Sequence, residues 1–143
     1  MKIPTLVSTA FLFFSVAVPN LCASEPPVAK EEETVVVNVE AEKVAAVLKA
    51  DPKIVIVDIR TPEEFAVGHL AKAKNVNFKA DDFKAELAKL DKEKTYLMHC
   101  RSGGRSTASL PVWKELGFKR VIHLNTGILG VQKAGVELVK GKK

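Results

Sequence analysis

Cys100 stands in the run HCRSGGRS, His99 to Ser106, flanked by Arg101 and Arg105, by Ser102 and Ser106, and by the pair Gly103 and Gly104. These residue types, so close together, suit the holding of an anion. Glycines permit tight turns of positive φ that aim successive N–H groups inward. A helix starting just beyond adds free N–H groups and the positive end of its dipole. Two guanidiniums add permanent charge. All three favour thiolate over thiol, so Cys100 is expected to have a depressed pKa and to act as a nucleophile near neutral pH. An anionic reactant would sit in the same cradle. A cysteine serving only the core does not call for two arginines. A metal site is not expected, because one cysteine with His99 adjacent lacks ligand spacing and strand neighbours point to opposite faces. No cofactor is expected either.

The surrounding chain reads as alternating strands and helices. VVVNV from Val35 suits a strand, and Val44, Val47 and Leu48 fall at helical spacing in AEKVAAVLKA. KIVIVDI is a near-continuous apolar strand, as in a parallel sheet covered on both faces. TPEEFAVGHL starts a helix with Thr61 as N-cap and Pro62 at the first position, and Gly68 stops it. KNVNF is a short strand, and ADDFKAELAKL places Phe83, Leu87 and Leu90 on one helix face. TYLM is a strand running into Cys100. STASLPVWKELGF is helical, with Leu110, Trp113 and Leu116 inward and Gly117 as stop. RVIHL is the last strand, and GILGVQKAGVELV a final, weaker helix. The fold class is therefore α/β, a five-stranded parallel sheet with helices on both faces. Ligands in such sheets bind beyond the carboxyl ends of the strands, where Cys100 lies. Pro111 conflicts with this scheme unless its helix starts near Ser109, which would aim the dipole less well at Cys100. His123, within its strand, reads as a packed histidine.

The ends of the chain define its setting. Lys2, an apolar stretch through Val18, a Pro-Asn break and the small residues Cys22, Ala23 and Ser24 have the layout of a secretory signal peptide over residues 1–24. The apolar stretch is too short to argue a permanent membrane span. An exported, periplasmic protein is expected, cut after Ala23 or Ser24. Cys22 would leave with the leader, so Cys100 would be a lone thiol in an oxidising compartment. Residues 25–34, EPPVAKEEET, read as a flexible lead-in, and residues 35–143 as the single domain that 143 residues allow. The 22 basic and 17 acidic residues give a net charge of +5, but the lysines are scattered rather than clustered. No nucleic-acid partner is expected.

From Val35 to Val139 the chain resembles a single-domain rhodanese, a sulfurtransferase. DIRTPEEFAVGHL is similar to that family's D-x-R-x-x-x-E-[FY]-x-x-G-H-[IL] signature at Asp58, Arg60, Glu64, Phe65, Gly68, His69 and Leu70. AKNVNF, CRSGGRS and LGFKRVIHL follow in the family's order. The resemblance implies that Cys100 attacks the outer sulfur of a small anionic donor such as thiosulfate, and that the resulting persulfide passes its sulfur to cyanide or a thiol. It implies substrate binding by Arg101, Ser102, Gly103, Gly104, Arg105 and Ser106, with Asp58 and Arg60 supporting the loop. Glu64, Phe65, Gly68 and His69 would be structural. Related phosphatases and arsenate reductases use Cys-x5-Arg, whereas Cys100 and Arg105 make Cys-x4-Arg, a tighter ring suited to one sulfur atom. A non-enzymatic persulfide carrier or a partner-binding module are the alternatives, with an acceptor protein not identified. One departure stands out: where the family often has a Gly-Gly pair and a tryptophan, this chain has Thr126 before Gly127, and Val131.

Overall fold

The structure is a computed structural model describing residues 33–141. The expected leader, and all but the last two residues of the lead-in, lie outside the described residues. Five strands, β1 (Val35–Val39), β2 (Val55–Asp58), β3 (Lys74–Asn75), β4 (Thr95–His99) and β5 (Arg120–Leu124), form one parallel sheet in the order β1-β5-β4-β2-β3. Five helices alternate with them: α1 (Ala41–Ala50), α2 (Pro62–Val67), α3 (Phe83–Ala88), α4 (Gly104–Glu115) and α5 (Gly127–Lys133). The expected α/β class is what the chain adopts.

Because strand side chains alternate between faces, the sheet has two cores. On one face Val57, Tyr96, Met98 and Val121 pack with Phe83 and Leu87 of α3, Trp113 of α4, and Phe118. Tyr96, Trp113 and Phe118 meet ring to ring, at centroid distances of 4.7 to 5.6 Å. On the other face Val39, Ile56, Leu97, Ile122 and Leu124 pack with Val44 of α1 and Val131 of α5. Val131, at the position where the resemblance expected tryptophan, is fully buried there. Met98 and Cys100 share the first face and His99 the opposite one, as strand geometry requires.

Two helices differ from the sequence reading. Helix α4 begins at Gly104, so Pro111 is an interior residue and not part of the first turn. The missing N–H strands the carbonyl four residues earlier, that of Thr107. Both Pro111 and Thr107 are solvent-exposed, so water can satisfy the carbonyl, while Trp113 anchors the opposite side of the helix. The early start points the positive helix end at Cys100. Helix α5 ends at Lys133; Gly135, at φ 77°, turns the chain, and Val139 forms an antiparallel bridge with His69 instead of continuing a helix.

Candidate active site

Cys100 follows the carboxyl end of β4, and the chain then turns through Gly103 into α4. Gly103 has φ 99°, and a Cβ there would lie 1.9 Å from the Asn125 carbonyl oxygen, so only glycine fits. Gly104, by contrast, has open space around it. The loop is pinned from below by the start of α5. Ile128 N–H donates to the Cys100 carbonyl (2.9 Å) and Leu129 N–H to that of Arg101 (3.1 Å). Gly127 allows this approach, since a Cβ on it would sit 2.4 Å from the Arg101 oxygen. The unusual segment after β5 is thus the bracket under the loop.

The Gly103 N–H donates to the Cys100 sulfur at 3.2 Å, and the Ser106 hydroxyl lies 3.5 Å from it. Burial pushes the thiol up, but the Ser106 hydroxyl and the N–H groups of Ser106, Ser102 and Gly103 outweigh it, so Cys100 sits below the ordinary thiol range. The residue is 1% exposed. Hydrogen-bond donors are therefore the leading cause that favours the thiolate, and Arg105, held first by Glu64, adds a charge interaction with Cys100.

The arginines have separate surroundings. Arg105 is held by Glu64 of α2 in a two-pronged pair, both contacts at 2.7 Å. That pair, led by the Arg105 hydrogen bond, pulls the Glu64 carboxyl down to about 2. Glu64 also completes a capping box with Thr61, accepting its N–H while the Thr61 hydroxyl accepts the Glu64 N–H. Arg101 is exposed and lines a cleft of about 390 Å³ with Arg60, Glu64, Val67, Leu129 and Lys140. Ser102 and Gly104 are exposed, while Gly103 and Ser106 are buried.

Asp58 and Arg60 form a buried pair, with Arg60 Nη2 2.6 Å from Asp58 Oδ2 and 2.7 Å from the Gly68 carbonyl oxygen. Between them and the Cys100 loop lies His99, whose Nδ1 is 3.2 Å from the Cys100 carbonyl oxygen and whose buried Nε2, 3.8 Å from Asp58, makes no hydrogen bond among the described residues. Burial holds the His99 imidazole below its usual pKa, against the pull of Asp58. Among the described residues no group of His, Cys, Asp and Glu is placed to hold a metal.

Sequence reasoning missed two residues that connect to the sulfur through Ser106. His123 of β5 places Nε2 2.9 Å from the Ser106 hydroxyl, and its Nδ1 lies 2.9 Å from Asn38 Oδ1 on β1. The signal was present: Asn38 and His123 are the penultimate residues of two apolar strands, and they are register partners in the sheet.

Residues 40–134 match the family described as "Rhodanese-like domain". A putative sulfurtransferase, YtwF, of Bacillus subtilis is 36% identical over 74 residues, covering 52% of this chain and 70% of that protein. The probable adenylyltransferase/sulfurtransferase MoeZ of Mycobacterium tuberculosis is 30% identical over 86 residues, 60% of this chain. A tRNA uridine(34) hydroxylase of Acaryochloris marina is 36% identical over 57% of this chain. The chain spans only 22% and 28% of the length of those last two proteins. A rhodanese-like domain protein from Staphylococcus aureus superposes with a TM-score of 0.62 at 23% identity, covering 75% of this chain and 98% of that one. From motif, topology and family match together, the chain belongs to the rhodanese-like domain family.

Proposed function

We propose that this chain is a sulfurtransferase in which Cys100 carries sulfane sulfur from thiosulfate or a similar anionic donor to cyanide or a thiol. The observation that carries this reading is the ring of donors around the Cys100 sulfur. The thiolate attacks the outer sulfur of thiosulfate, the S–S bond breaks, and sulfite leaves with the bonding pair. A persulfide remains, whose outer sulfur is attacked by cyanide, releasing thiocyanate and restoring the thiolate. The N–H groups that favour the thiolate are equally placed to carry the negative charge of the persulfide. Arg101, free on the cleft wall, attracts the donor, while Arg105 acts together with Glu64. Names given to relatives such as YtwF and MoeZ support sulfur transfer. The amino-terminal pattern supports export to the periplasm. Incubation with thiosulfate and cyanide tests the proposal. Thiocyanate that forms with the native chain and not with Cys100→Ser supports it; none with either refutes it.

A second reading, a persulfide carrier for a partner protein, is favoured by the rim of the cleft. Val67 is 79% exposed there and Leu129 38%. Ready loading of Cys100 with poor turnover on small acceptors would mark that case.

A further inference from the structure

The proton of a nearly covered thiol needs a way out, and the hydrogen bonds around Ser106 supply one. The Ser106 hydroxyl has two acceptors in reach, the Gly103 carbonyl oxygen at 2.8 Å and His123 Nε2 at 2.9 Å. The Gly103 oxygen also accepts from the Thr107 N–H and the Thr107 hydroxyl, both at 2.9 Å, so it stays satisfied when Ser106 turns to His123. Asn38 Oδ1 is an acceptor, which places the imidazole proton of His123 on Nδ1 and leaves Nε2 bare. Nε2 then accepts the Ser106 hydroxyl proton across 2.9 Å. That hydroxyl keeps a lone pair for the Cys100 S–H, 3.5 Å away.

We propose that Asn38, His123 and Ser106 form a proton relay that ionises Cys100, with His123 as the positioning residue that accepts the proton through Ser106. This deepens, and rests on, the reading of Cys100 as a nucleophile. In the transfer the S–H bond breaks and its proton joins the Ser106 oxygen, while the Ser106 O–H breaks and its proton joins His123 Nε2. The products are a thiolate, an intact serine and an imidazolium held at Nδ1 by Asn38. Nε2–H now donates to Ser106, so the serine proton points back at the thiolate. Both components lie at the carboxyl ends of adjacent strands, where the register pairs Asn38 with His123. Burial holds the His123 imidazole below its usual pKa, so it is neutral before the transfer, and the Asn38 acceptor and the nearby thiolate are what offset the cost of its charged form. Of the charged groups at this end of the sheet, Arg105 of α4 pairs with Glu64 of α2, Glu40 before α1 accepts from Asn125, and Arg101 is exposed on the cleft. Asp58, the register partner of His99, lies on the opposite face paired with Arg60. His99 faces the other side of the sheet and bonds the Cys100 carbonyl.

The test is the rate of iodoacetamide alkylation against pH in the full chain, read at the Cys100 peptide. His123→Gln keeps an acceptor for Ser106 but cannot take a proton. Its profile is expected to move up by about one pH unit, a roughly tenfold slower reaction below both midpoints. Asn38→Asp, at an exposed edge-strand position, sets a carboxylate against Nδ1–H and makes the imidazole more basic. Its profile is expected to move down. An Asn38→Asp profile that stays or moves up overturns the relay, as does a folded His123→Gln that titrates like the native chain. Alkylation uses no sulfur donor, which separates the two failures. Opposed shifts without thiocyanate formation keep the relay and lose the transfer reading; thiocyanate with unmoved profiles does the reverse.

Discussion

Replacing Glu64 by Gln removes the charge of the pair that ties α2 to α4. The one glutamine oxygen can still accept the Thr61 N–H and the Arg105 Nη1 bond, so the cap survives, while the ionic part and the second prong of the pair are lost. A carboxyl held at about 2 against an ordinary 4.5 sets a ceiling of roughly 3 kcal/mol on that loss. The side chains remain 21% and 30% exposed, so screening reduces the working value to about 1–2 kcal/mol. Because the folded-state pKa is depressed, this stability is fully present above about 4.5 and is lost as pH falls through about 2. Urea unfolding of both chains across that range reads it. The native chain should be the more stable by about 1–2 kcal/mol near neutrality, with the gap closing in acid. Equal stability at neutral pH, or a gap that persists unchanged into acid, would refute the reasoning. The same change removes a negative charge from the cleft wall, so the KM for thiosulfate should fall.

Gly103→Ala should be the most damaging single methyl in the loop. It meets both a left-handed backbone and the Asn125 carbonyl, so a loss of several kcal/mol or a displaced loop is expected in thermal unfolding. Gly104→Ala, in open space at the helix start, should leave folding near native, and equal damage from both would contradict the geometry. Asp58→Ala leaves the buried Arg60 guanidinium without its partner, at a cost of about 3–5 kcal/mol in chemical denaturation. A neutral result there would mean that the pair is not buried as described.

Much of this site was legible in the sequence because it is contiguous. The residues from Cys100 to Ser106 and the strand before them carry their chemistry in one line, and the apolar strands KIVIVDI and RVIHL announce the parallel sheet. What was hidden depends on residues brought together by the sheet. Asn38 and His123 are 85 positions apart and meet only because β1 pairs with β5. Glu64 and Arg105, 41 positions apart, read separately as a helix start and an anion ligand, yet they neutralise each other. Pro111 shows how tertiary packing overrides local propensity, since Trp113 holds the helix where proline disfavours it. The length of α5 misled for a local reason: Gly135 turns the chain after Lys133, and no apolar periodicity marks that stop.

Intact mass of the chain after incubation with thiosulfate tests the account most directly, because it asks whether the cradled thiolate takes up sulfur at all. The Cys100 peptide is expected to gain one sulfur atom, removed by cyanide and absent from Cys100→Ser. An unchanged mass, or a gain that survives in Cys100→Ser, would contradict it.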